Sequence, residues 1–193
     1  IGYVDESSLS SVTIFMNTPP TGGKVTVSPD SGQALETKFN IGTLYWTDDI
    51  EDFPMSYILA YYTVDAKALT TIKAKNTNTQ IATKIGQGLE SMDYEVTCLA
   101  LAFDVLGDSA NTTTKIVVTP VQKSMEALDD LVRSEVATAT KSGDTEAINN
   151  VLVGTMKSLN SANCSDAPSC SALHRQECST TQGTCGVCLS GYA

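Results

Sequence analysis

The chain has 193 residues, 41% of them hydrophobic and 18% charged, enough for one ordinary domain with smaller pieces attached. Twelve basic against 22 acidic residues leave a formal charge of -10, which repels nucleic acid and anionic lipid and sets both aside as partners. The longest apolar runs, Tyr57 to Tyr62 and Cys98 to Phe103 among them, fall far short of the ~20 residues that a membrane-spanning helix requires, so no span is expected in this segment.

The first residue is Ile1, and no charged-then-apolar leader follows it. A secretion signal is therefore expected to have been removed or to lie upstream. From residue 1 to about 119, short β-type runs alternate with turn residues, the pattern of an immunoglobulin-like β-sandwich. Ser11 to Phe15 alternates, Gly22-Gly23 turns, Lys24 to Ser28 alternates again, and Pro29 to Gly32 turns. Ala34 to Phe39, Tyr45-Trp46 and Met55 to Val64 follow. Tyr94 to Phe103, a turn at Gly107 to Ser109, and Thr113 to Val118 close the region. About seven strands are predicted, with Trp46 as the core plug.

At Thr119-Pro120-Val121-Gln122 the period changes. Threonine at the cap, proline at the first helical position and glutamine shortly after predict a helix start. Met125, Leu128, Leu131, Val132 and Val136 share one face at helical spacing, and Gly143 is the stop. Asp144 caps a second helix carrying Ile148, Val151, Leu152, Met156 and Leu159. Residues 120 to 160 thus form a helical hairpin whose stripes close on each other or on the sandwich, or else serve as a partner-binding face.

Residues 161 to 193 contain five of the six cysteines, Cys164, Cys170, Cys178, Cys185 and Cys188, with almost no large aliphatic side chains. So short a segment cannot bury enough apolar surface to fold alone, and disulfides must supply the missing constraint. Disulfides persist in an oxidising compartment, which places the chain outside the cell. Because five is odd, one tail cysteine reaches back to Cys98 or pairs beyond Ala193. Cys98 itself reads as a buried thiol in a core strand or as one end of that long-range bridge. Cys185-Gly-Val-Cys188 has the spacing of a zinc half-site, yet Cys170 and Cys178 do not make the matching pair; disulfides are the expected state.

Catalytic constellations are not found: there is no nucleophile elbow, no His-Glu-x-x-His helix and no phosphate loop, and the single histidine, His174, reads as a solvated loop residue. No cofactor is expected. Asp48, Asp49, Glu51 and Asp52 offer oxygens to calcium but lack the alternating spacing of a dedicated loop, and a solvated turn is the plainer reading. Asn111-Thr-Thr113 and Asn163-Cys-Ser165 satisfy the N-glycan acceptor rule in predicted loops. Thr18-Pro19-Pro20 offers O-linked positions if proline is hydroxylated, and otherwise a rigid connector.

Gly22-Gly23-Lys-Val-Thr-Val-Ser-Pro29, Ser31-Gly32-Gln-Ala34-Leu35, Trp46-Thr-Asp48-Asp49 and Phe53-Pro54-Met55-Ser-Tyr57 resemble the first half of a REJ domain, the module named for the sea-urchin receptor for egg jelly and found in polycystin-type surface proteins. Tyr94-Glu-Val-Thr-Cys-Leu-Ala-Leu and Leu106-Gly107-Asp-Ser109 resemble the last strands of the related PKD and fibronectin type III repeats. The tail, with Cys188-Leu-Ser-Gly191-Tyr192, is similar to the end of an EGF-like repeat; two residues rather than one separate Cys185 from Cys188, so the usual pairing does not carry over. The similarity implies a sixth cysteine after Ala193. The combination resembles algal and protist surface proteins, including those that build flagellar hairs (mastigonemes). It implies a secreted, glycosylated structural protein of a fibre or appendage, not an enzyme, whose partners are copies of itself or neighbouring repeats. The alternative is a ligand-binding or adhesive ectodomain of a polycystin-like or egg-jelly-type receptor.

Overall fold

Strands form where β-branched and aromatic residues alternate with polar ones, because alternation gives each strand one face for the core and one for water. The computed structural model describes residues 10–12, 16–121, 125–160, 167–176, 178 and 183–192, and within them places eight strands and two helices. The strands are β1 (Lys24–Ser28), β2 (Ser31–Gln33), β3 (Phe39–Leu44), β4 (Ser56–Tyr62), β5 (Thr70–Asn76), β6 (Gln80–Thr83), β7 (Glu95–Phe103) and β8 (Ser109–Thr119). The helices are α1 (Met125–Ser142) and α2 (Thr145–Asn160).

Two sheets pack face to face, one ordered β1-β3-β6 and the other β2-β8-β7-β4-β5. All neighbours are antiparallel except β2, which runs parallel to the end of β8. The inward residues Phe39, Ile41, Leu59, Tyr61, Val96 and Val118 are fully buried between the sheets. Burial of each large apolar side chain stabilises the fold by about 1.5–3 kcal/mol. Cys98 belongs to this core as a free thiol, and burial pushes its pKa up to about 12. It pairs in register with Tyr61 of β4 and Thr114 of β8, so the core-strand reading of this thiol holds and the long-range bridge does not form.

The fold is mainly β, as expected, but several elements differ from the sequence reading. Ala34 to Thr37 form a turn, and the strand begins at Phe39. Tyr45-Trp46 is not a strand: Tyr45 takes a left-handed backbone (φ 65°), which interrupts the ladder after β3 before Thr47 pairs with Thr21 in the same antiparallel register. Trp46 is half-buried outside the core, with its Nε1 donating to Thr43 Oγ1 at 2.6 Å and its ring over Gly23. A β-carbon on Gly23 would stand 2.1 Å from the indole, so only glycine fits there. Tyr61 and Phe39 fill the core in place of the tryptophan. β5 and β6 are rich in Lys, Asn, Gln and Thr, and their polar composition masks their strand character. Of the run predicted from Ser11 to Phe15, Ser11 and Val12 have no regular structure, and the rest lies outside the described residues.

Pro120 and Val121 are irregular, so the first helix does not begin at the proline; β8 uses Thr119 as a strand residue. Gly143 ends α1 with φ 68°, and Asp144 Oδ1 accepts the Ala147 N–H at 2.8 Å, capping α2 as the sequence indicates. Leu128 joins the sandwich core, with Val121, Leu131 and Val132 packed against it. The hairpin and the sandwich therefore share one core. No helix among the described residues is long and apolar enough to cross a membrane.

Candidate functional site

Three segments distant in sequence meet at one pole of the sandwich: the stretch ahead of β1, the β3–β4 loop and the β7–β8 turn. The turn is built on Asp104, 4% exposed, whose Oδ1 accepts the Gly107 and Asp108 N–H groups at 2.6 and 2.9 Å. Its Oδ2 accepts Asn17 Nδ2 at 2.6 Å, and the same amide donates to Asp108 Oδ2 at 3.1 Å. Desolvation works to raise the Asp104 pKa, but the hydrogen bonds from Asn17, Gly107, Asp108 and Leu106 outweigh it and hold the pKa below the ordinary value.

Asp52 sits across from this turn and is joined to it through its carbonyl, which accepts Val105 N–H at 3.3 Å. Only 7% of the residue meets solvent. Burial, followed by the charges of Asp48, Asp104, Asp49 and Glu51, raises its pKa. Asp48 Oδ1 accepts the Asp49 N–H at 3.0 Å, and its Oδ2 is buried without a partner. Asp49 and Glu51 are exposed. The structure thus divides the acidic run: Asp48 and Asp52 turn inward, and the other two remain solvated. The acidic run in the sequence does not point to Asp104 or Asn17. An Asp-x-x-Gly turn signal marks Asp104, but nothing local marks Asn17, which lies 87 positions away.

The outer face of the β1-β3-β6 sheet carries an open depression of about 470 Å³ lined by neutral side chains, among them Thr26, Ser28, Asn40 and Gln80 around Gly42. These side chains can donate or accept hydrogen bonds, and none is charged or aromatic. Asn111 is exposed and belongs to β8, not to a loop, because the strand begins at Ser109 and pairs Asn111 with Leu101. Asn163 lies outside the described residues. Thr18 and Pro19 are exposed, whereas Pro20 is fully buried and so closed to modification.

In the tail, Cys170 and Cys185 form a disulfide, and Cys178 is also disulfide-bonded. Cys164 lies outside the described residues. Cys188, expected in a bridge, is an exposed free thiol. It forms a β-bridge with Arg175, whose Nε donates to Gly186 O at 2.8 Å. The bridged Cys185 cannot serve as a zinc ligand, so the half-site reading of Cys185 and Cys188 falls away. His174 is exposed but not merely solvated: its ring stacks on Tyr192 with centroids 4.0 Å apart. Among the described residues, no group of three His, Cys, Asp or Glu side chains is arranged to hold a metal.

Set against known proteins, residues 2–153 match the sequence profile of the REJ domain. No curated protein sequence gives a significant match. A solved structure from work on the promiscuous specificity of carbohydrate-binding modules of the β-sandwich superfamily is similar, with 19% identity and a TM-score of 0.40. That match covers 57% of this chain and 38% of the other, so this chain spans well under half of the solved one.

Proposed function

The chain belongs to the REJ domain family, and on that premise we propose that it is a non-catalytic adhesive or ligand-binding ectodomain of a polycystin-like surface protein. REJ domains are extracellular modules, and the oxidised cysteines of the tail fit an oxidising compartment. The observation that carries the reading is the extent of the family match. It runs through the sandwich and most of the hairpin, which pack as one unit through Leu128. The neutral depression on the β1-β3-β6 sheet is the recognition surface in this reading, since it offers hydrogen bonds without charge and suits an uncharged ligand. Asn111, exposed on β8, carries an N-linked glycan.

A structural role in an extracellular fibre, mastigoneme-like in organisation, is the second reading. It is favoured by the exposed stripe Leu152, Met156 and Leu159 on α2, which can meet a neighbouring copy. Antibodies against residues 16–160 applied to intact, unpermeabilised source cells separate the two. Labelling over the plasma membrane supports the ectodomain; labelling confined to isolated filaments supports the fibre; and labelling that requires permeabilisation rejects both. Intact mass before and after enzymatic deglycosylation tests Asn111, and an Asn111→Gln chain should show one glycan fewer.

A further inference from the structure

We propose that the innermost sugar of a glycan on Asn111 lies on the outer face of the five-stranded sheet and covers an apolar stripe on β7 and β4; the proposal rests on the glycan assigned to Asn111 above. Strands covered on one side alternate apolar with polar residues, whereas strands covered on both sides read as unbroken apolar runs. β8 alternates, with Ile116 and Val118 buried and Thr113 and Lys115 exposed. β4 and β7 do not: Tyr57 to Tyr62 and Cys98 to Phe103 are apolar throughout. Leu59, Cys98 and Ala100 belong to the core between the sheets, so Ile58, Ala60, Leu99, Leu101 and Phe103 stand on the outer face. Ala60 and Leu99 are 0% and 8% exposed although neither joins that core, and Ile58, Leu101 and Phe103 are half-buried. The elements packed against β4 and β7 are β5 and β8 within the sheet and β1 across the core, so none of the described elements packs broadly over this face.

The strand register sets Asn111 on that same face. Asn111 pairs with Leu101, which pairs with Ile58, so the three form one row across β8, β7 and β4, about 10 Å from end to end at two strand spacings. Leu99 and Phe103 are its diagonal neighbours, roughly 7–8 Å away and within reach of a long substituent. Asn111 is exposed, so a sugar on its Nδ2 emerges beside the stripe. An N-acetylglucosamine ring carries C–H bonds on its faces, an acetyl methyl and hydroxyls at its rim. It can therefore lay apolar surface on Leu101 and Leu99 and keep its hydroxyls in water. Phe103, whose ring already holds the Lys75 ammonium at 4.0 Å, closes one end of the stripe. The covalent link keeps the sugar at high effective concentration, so a contact too weak to bind a free saccharide still forms. A second copy stacked on this face would have to enclose both Asn111 side chains and their glycans, which favours the glycan as the occupant.

The test uses the full 193-residue chain carrying Asn163→Gln, secreted from a eukaryotic host so that Asn111 is the one N-glycan acceptor left. Intact mass comes first: a chain without a glycan removes the glycan reading of Asn111 and this proposal with it. On the glycosylated chain, nuclear Overhauser contacts are expected between the sugar acetyl methyl and the methyls of Leu101 or Leu99. Trimming to a single N-acetylglucosamine with an endoglycosidase should keep those contacts. Asn111→Gln should lower the melting temperature by about 2–4 °C. Leu101→Thr, which keeps strand propensity but removes the apolar floor, should erase that difference, so that the variant melts alike with and without the glycan. Absence of the Overhauser contacts would overturn the docked sugar while leaving Asn111 modified. A melting difference that survives Leu101→Thr would overturn it as well, by tracing the effect to the bulk of the glycan. A glycosylated chain that sediments as a dimer, split by Leu101→Thr, would give the face to a second copy and overturn the proposal.

Discussion

The two helices have similar lengths, 18 and 16 residues, and similar apolar spacing, yet they meet the sandwich in opposite ways. α1 turns its stripe inward: Leu128 is 7% exposed and part of the core, with Leu131 and Val132 beside it. α2 leaves much of its stripe outside, with Leu152 48%, Met156 61% and Leu159 51% exposed, and buries Asn150, Val151 and Gly154 instead. What each helix covers accounts for the difference. α1 reaches the apolar core through Leu128, whereas α2 runs along β5, the edge strand of the five-stranded sheet where backbone groups need partners, and sets Gly154 against Leu35 and Gly86. Glu146 Oε1 accepts the Ala74 N–H of that strand at 2.7 Å. Nearby, the buried Lys73 Nζ donates to Tyr57 O at 2.7 Å and reaches Ala74 O and Asn76 O. A polar, small-residue helix face suits that edge better than leucine would.

The sharpest way to break this contrast is Leu128→Ala, which empties a core position and should cost about 2–5 kcal/mol in urea unfolding. Gly154→Leu attacks the other contact. A β-carbon there already meets Leu35 Cδ2 at 2.7 Å, and Gly86 Cα lies 3.6 Å away, so overpacking should cost about 1–3 kcal/mol by the same assay. Asn150→Leu sharpens the comparison from the opposite side. Asn150 is 1% exposed with both amide atoms unpartnered, and replacing it should leave stability unchanged or raise it by about 1 kcal/mol in thermal melts. The smallest effect belongs to Leu152→Ser combined with Met156→Ser, which should stay within about 0.5 kcal/mol per site because both are solvated. A loss comparable to that of Leu128→Ala would show that the α2 stripe is covered in solution.

The pole repeats this lesson on a smaller scale. Asp48, Asp49, Glu51 and Asp52 were visible as a cluster, but sequence spacing treats the four as equivalent. The fold buries Asp52, half-buries Asp48 with its Oδ2 enclosed, and leaves Asp49 and Glu51 in water. It also brings in Asn17 and Asp104, which no local pattern connects to them. In the tail, composition alone indicated oxidation, and Cys170–Cys185 bears this out; which cysteine stays a thiol depends on three-dimensional placement, and here it is the exposed Cys188.

By itself the sequence determined the class of the fold and the strong elements: β1, β4 and β7 where alternation is clear, the Gly143 stop and the Asp144 cap, and the cross-linked nature of the tail. These rest on local physics, since side-chain periodicity, capping chemistry and cysteine density act over a few residues. Only the tertiary structure decided the polar strands β5 and β6, the half-exposed Trp46, the inward face of α2 and the membership of the acidic pole. Each of these depends on which distant surface a residue is pressed against, and a buried oxygen or an uncovered leucine is defined only after the chain has closed around it.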